Sequence, residues 1–127
     1  MALGRVDGAL TGRLALVTGA GRRVGQAIAL ELARCGADLV VHYGGSASGA
    51  ADTVRHAREM GVKAEAISAE LSDPAAIARL FETVRSQHGR LDVLVNSAAI
   101  FERVKLADLC VEAWDRMHAI NLRAPFL

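Results

Sequence analysis

Thr18-Gly-Ala-Gly-Arg-Arg-Val-Gly25 decides the reading of this chain. It follows the apolar run Arg13-Leu-Ala-Leu-Val-Thr18. It precedes Val24 to Arg34, where Ile28, Leu32 and several alanines recur on one helical face. A buried strand, a glycine turn and a helix are expected in that order. Gly19 lets the chain leave the strand in a tight turn, and Gly25 lets the helix lie close to the sheet. The free N–H groups and positive dipole end of such a helix suit a pyrophosphate.

The same alternation runs outward along the chain. Asp38 to His42 reads as a second strand, Ala47 to Met60 as a helix closed by Gly61, and Val62 to Ile67 as a third, weaker strand. Ser72-Asp73-Pro74 opens another helix, with Ser72 or Asp73 as its cap. Ile77, Leu80, Phe81 and Val84 mark its core face, and Gly89 ends it. Leu91 to Val95 is the clearest strand. A last helix begins near Ala107 to Val111 and is expected to carry Trp114, Met117 and Leu122 inward. Alternating strands and helices imply an α/β fold: a Rossmann-like, doubly wound parallel sheet of about four strands, order 3-2-1-4, with helices on both faces. The order reverses between the first and fourth strands, where ligands of such sheets bind. Residues 1–12 read as an N-terminal extension, and 13–127 as a dinucleotide-binding domain that stops within its fourth helix.

Composition agrees and excludes alternatives. The 127 residues are 52% hydrophobic, 23% charged and only 4% aromatic, so the core must come from Val, Leu, Ile and Ala. The net charge of +1 comes from interspersed acids and bases, with no basic block for nucleic acid or a membrane surface. No apolar run approaches the length of a membrane span. Cys35 and Cys110 form no C-x-x-C pair and are expected to be reduced thiols of a cytoplasmic protein. The four histidines show no metal-ligand spacing, so no metal is expected.

Thr18, Gly19 and Gly25 match the Thr-Gly-x-x-x-Gly-x-Gly fingerprint of the short-chain dehydrogenase/reductase family, which this chain resembles from Arg13 onward. Arg23 stands where the family's middle glycine would be, as in its pteridine-reductase branch, where that Arg reaches cofactor phosphate. The resemblance implies that Thr18, Gly19, Gly21, Arg22, Arg23, Val24 and Gly25 bind the cofactor. His42, Tyr43 and Ser46, at the end of the second strand, lie beside the adenosine ribose. No acid ends that strand to repel a 2′-phosphate, so NADP(H) is favoured over NAD(H). Gly45 stands where the related reductases carry Arg. Glu70-Leu71 aligns with the family's adenine-contacting Asp-Leu/Val pair. Asn96-Ser97-Ala98-Ala99 replaces the family's Asn-Asn-Ala-Gly, with Asn96, Ser97 and Ala98 expected at the cofactor. Phe101 is placed to stack on a bicyclic substrate, an arrangement worth roughly 0.5–1.5 kcal/mol beyond area burial.

Asn121 matches the Asn of the family's catalytic tetrad. The Ser and Tyr-x-x-x-Lys that complete the tetrad are absent. The sole tyrosine, Tyr43, has Ala47 four places on, and the lysines are Lys63 and Lys105. Proton transfer by a tuned Tyr therefore cannot come from these residues. The expectation is the front portion of a longer NADP(H)-dependent oxidoreductase acting on a small-molecule C=O or pterin-like C=N bond, itself a homodimer or homotetramer. The alternative is a cofactor-binding fragment without activity.

Overall fold

β1 (Leu14–Val17) is buried along its whole length, which explains why it reads as an unbroken apolar run and not an alternating one. The computed structural model describes residues 8–127, so the first seven residues of the expected extension lie outside them. β1 pairs in parallel with β2 (Asp38–Tyr43) on one side and with β4 (Val93–Val95) on the other. β2 in turn pairs with β3 (Ala64–Ser68), giving the order β3-β2-β1-β4. The doubly wound sheet read from the sequence is therefore the observed one.

Alternate residues of the sheet serve opposite faces. Ala15, Val17, Leu39 and Val41 meet α1 (Arg23–Arg34) and α2 (Ala47–Glu59) through Ala29, Ala33, Ala50 and Ala57. Leu14, Leu16 and Val40 meet α3 (Pro74–His88) through Ala76, Leu80 and Val84. Alanines on the helices let them approach the sheet closely, the role that the aromatic-poor composition demanded. Asp73 caps α3, its side chain accepting from the Ala75 amide at 2.9 Å, and Gly89 closes it at φ 70°. Ser72 is not the cap, because its amide and hydroxyl both donate to Glu70.

Expectations in two places are corrected, the sheet and the last helix. β3 starts at Ala64, not Val62, and β4 spans only three residues. The start of β4 is held from outside the ladder. Asp92 accepts the Leu14 amide at 2.8 Å, and that bond, with Arg13 and Arg90 alongside, holds its carboxyl below the usual range.

The second correction concerns the last helix. A 3₁₀ turn (Leu106–Asp108) precedes α4 (Val111–His118), a π turn follows at Ala119–Arg123, and α5 (Ala124–Phe126) completes the segment. Trp114 is 57% and Leu122 66% exposed, so neither is carried inward. Leu122 lies within the wide π turn, which breaks helical spacing, and Trp114 lies on α4, none of whose residues is buried. Ala119 is buried instead, and Trp114 stacks on His118 with centroids 4.1 Å apart.

Candidate functional site

Where β1 and β4 part, their following loops open a cleft of about 770 Å³, within the range of roughly 300–1,000 Å³ usual for small-molecule sites. The loop after β1 contributes Gly19, Arg22, Arg23, Val24 and Gly25. The end of β2 and the turn beyond it contribute His42, Tyr43 and Ser46. Glu70 and Leu71 arrive from the end of β3, and Ser97 and Ala98 from the end of β4. Four separate segments of sequence thus meet at the reversal of strand order.

The first loop is held by close backbone contact. Gly19 adopts φ 63°, and a Cβ there would stand 2.9 Å from the Ala98 Cα. A Cβ on Gly25 would stand 2.2 Å from the Gly19 carbonyl oxygen, so the first turn of α1 rests on the turn that leaves β1. Gly21 does not line the cleft; it packs on α2, and a Cβ there would lie 2.9 Å from the Ser46 oxygen. Arg23 has φ 51°, a left-handed conformation that costs an L-residue roughly 1–2 kcal/mol. This is the slot where the family fingerprint has glycine. The N-terminus of α1 has no side-chain cap and no acid in its first turn, which leaves its amides and dipole facing the cleft beside Arg22 and Arg23.

Thr18 lies outside the cleft lining and works as a clamp. Its Oγ1 accepts from the amides of Ser97 and Ala98, both at 3.0 Å, and so ties the loop after β4 to the end of β1. Asn96 lines an adjoining pocket of about 250 Å³ with Leu94, Leu80 and Phe126, not the cleft itself. Glu70 faces the cleft, but its carboxylate is engaged by the amide and hydroxyl of Ser72, which lower its pKa. His42 is only 2% exposed, with both ring nitrogens in hydrogen bonds to backbone, so it offers no free group to a phosphate.

Asn121 sits in the π turn and brackets one residue. Its Oδ1 accepts from the Ile100 amide at 2.9 Å, and its Nδ2 donates to the Ile100 carbonyl at 2.8 Å. Phe101 is 80% exposed and lines neither pocket. Among the described residues no group of acids, histidines or cysteines could hold a metal, and no helix is long and apolar enough to cross a membrane.

Two structural supports escaped the sequence reading. A Cβ on Gly49 would stand 1.9 Å from the Gly21 oxygen, so α2 touches the first loop backbone to backbone. Thr53, fully buried, offers its hydroxyl to the carbonyls of Ala20 and Gly49 and accepts from Gln26. A glycine inside the first turns of a helix was the available signal for the first. Nothing in the pattern pointed to the second.

A parallel sheet with a glycine turn, an uncapped helix and a cleft at its switch point defines a Rossmann-type nucleotide-binding domain. The short chain dehydrogenase family profile matches residues 13–127, and the chain belongs to that family. A trihydroxynaphthalene reductase of Colletotrichum orbiculare is 37% identical over 124 residues, which are 98% of this chain and 44% of that protein. The angucycline C-6 ketoreductase LanV, solved with bound NADP, superposes with a TM-score of 0.87 at 38% identity over 97% of this chain and 50% of its own. A short chain dehydrogenase from Burkholderia cenocepacia J2315, in complex with NADP, gives 0.88 at 40% identity over 92% of this chain and 48% of its own. The chain spans about half the length of these relatives.

Proposed function

We propose that this chain is the nucleotide-binding portion of an NADP(H)-dependent oxidoreductase that reduces a carbonyl group of a small molecule. The observation that carries the reading is the cleft, in which Arg22, Arg23 and Ser46 share one space with the uncapped N-terminus of α1. Two guanidinium groups and a hydroxyl suit a nucleotide with an added phosphate, and no carboxylate ends β2 to oppose it. NADP(H), when bound, supplies or accepts hydride; the residues here bind and orient it. Asn121, fixed on Ile100, is read as the support that sets the loop after β4. The relatives named as a ketoreductase and a trihydroxynaphthalene reductase favour carbonyl reduction on an aromatic compound over a pterin-like C=N bond. Arg23 in the cleft keeps the pteridine-reductase branch as the second substrate reading, while Phe101 would have to swing inward to stack. Val111, Trp114 and Leu122, all exposed, support assembly of the parent enzyme as a homo-oligomer.

Calorimetric titration of the chain should show NADPH binding at least about tenfold tighter than NADH, the scale of one hydrogen bond to a charged group. Equal affinities would remove the NADP(H) assignment, and no binding of either would remove the site. Gly45 gives this a gain-of-function arm. It lines the cleft beside Ser46, and nothing lies within 4 Å of where its Cβ would stand. Gly45→Arg is expected to tighten NADPH binding about tenfold and leave NADH unchanged.

The second reading, a binding module without turnover of its own, rests on the lack of a Tyr-x-x-x-Lys in these residues. Incubation with NADPH and carbonyl or pterin compounds is expected to leave absorbance at the reduced nicotinamide band constant. Steady oxidation by the purified chain would overturn it.

A further inference from the structure

His42 lines the cleft near the end of β2, and its carbonyl oxygen and both ring nitrogens are engaged by the backbone that follows β1 and β3. Its main-chain oxygen accepts the Ala20 amide at 2.9 Å, and its Nδ1 accepts the Gly19 amide at 3.1 Å. Its Nε2 reaches the Ala69 oxygen at 2.9 Å. A carbonyl only accepts, so Nε2 carries the proton, and Nδ1 presents a lone pair to Gly19. One residue thereby holds two successive amides of the loop after β1 and joins them to the end of β3.

We propose that His42 is a positioning residue that bolts the phosphate loop in place as a neutral imidazole, and that its protonation releases Gly19 and weakens dinucleotide binding. The inference rests on the nucleotide-binding reading of the cleft. A proton on Nδ1 would set two N–H donors against each other at Gly19, the residue whose φ of 63° starts the turn. Burial holds the His42 pKa below the ordinary value, outweighing the Ala69 carbonyl and, beyond it, the charge of Glu70, both of which favour the cation. On the loop side Arg22 and Arg23 line the same cleft, and Tyr43 adjoins on β2 itself. The acids of the flanking helices nearest in sequence are Asp52 on α2, exposed and paired with Arg55, and Asp73 at the start of α3, half-buried and paired with Arg79. The neutral form therefore holds the fold at neutral pH, and its contribution is lost as pH falls below the unfolded histidine value and through the folded one.

The test compares wild type, His42→Asn and His42→Leu by calorimetry with NAD+ and NADP+ between pH 5 and 7.5, with circular dichroism to report folding. NAD+ lacks the 2′-phosphate, whose own titration would otherwise mimic the effect. Asn keeps an acceptor near Nδ1 and cannot titrate. It should retain most of the affinity at pH 7.5 and lose the fall in acid that wild type shows. Leu, with no acceptor, should bind about fivefold to tenfold more weakly at pH 7.5. Identical pH profiles for wild type and His42→Asn, or wild-type affinity in a folded His42→Leu, would overturn the proposal. If His42→Leu does not fold, the His42→Asn profile decides. If neither nucleotide binds any variant, the cleft reading fails. Long-range 1H–15N spectra of the imidazole then test the bolt alone, and a proton on Nδ1 at pH 7.5 would sink it.

Discussion

Gly25→Ala is expected to abolish dinucleotide binding, with affinity reduced at least about 100-fold, the equivalent of roughly 2.7 kcal/mol. A single methyl group suffices because of where it would land. The new carbon would meet the Gly19 oxygen at 2.2 Å and the Ala20 Cα at 3.2 Å, all backbone that cannot rotate aside. Either α1 withdraws from the turn or the turn opens, and in both cases the amides leave their positions around the cleft. Overpacking of this kind costs about 1–3 kcal/mol of stability. The melting temperature should therefore fall by roughly 5–15 °C in a domain of this size. A titration with NADPH beside a thermal melt checks both, and wild-type affinity in the alanine variant would disprove the loop's role.

Thr18→Val should produce the second largest effect, and through chemistry alone, since valine matches threonine in shape. It deletes the oxygen that the Ser97 and Ala98 amides share at 3.0 Å each. Thr18 is 7% exposed, so little water can replace that partner. The Ser97 amide keeps a second acceptor in the Val95 oxygen at 3.2 Å, so the loss falls on the Ala98 amide, and one unsatisfied amide places the expected cost at about 1–3 kcal/mol. Urea denaturation measures it. Thr18→Ser should recover most of the difference, and hydrogen exchange at Ser97 and Ala98 should quicken in the valine variant only. A valine variant as stable as wild type would show that the clamp is dispensable.

Much of this architecture was readable from residue types. The apolar run before Gly19 had to be a central strand, because both of its faces are covered, whereas the run through Val95 forms an edge of the described sheet, with Leu94 45% exposed. The breaks at Gly36, Gly61 and Gly89 fell where the helices end, each at positive φ. The cleft followed from topology: of the residues expected there, Gly19, 22–25, His42, Tyr43, Ser46, Glu70, Leu71, Ser97 and Ala98 line it, while Thr18, Gly21 and Asn96 do not. What could not be read is which atoms pair. His42 and Thr18 look like ligands in sequence and in the structure hold neighbouring backbone, since a polar residue at a strand end serves a backbone as readily as a cofactor. Asn96 turns to the adjoining pocket, Ser97 faces the cleft and Ala98 lines both, with the Ser97 and Ala98 amides held by the Thr18 hydroxyl some 79 residues away. Leu122 was misplaced because a helical wheel assumes a constant turn, and the π turn at Ala119–Arg123 breaks that assumption; Trp114 was misplaced because no residue of α4 is buried against the described sheet.

The clamp at Thr18 also sets an order of events in synthesis. The strand carrying it leaves the ribosome early, and its partners at Ser97 and Ala98 emerge some 79 and 80 residues later. Contacts this distant in sequence form slowly, because the intervening chain must first lose its freedom. A nascent polypeptide that has released only β1, α1 and β2 therefore owns the glycine turn without its opposite wall. A ligand that needs both walls of the cleft can stabilise the domain only after β4 has docked, so it rewards that step and none of the earlier ones.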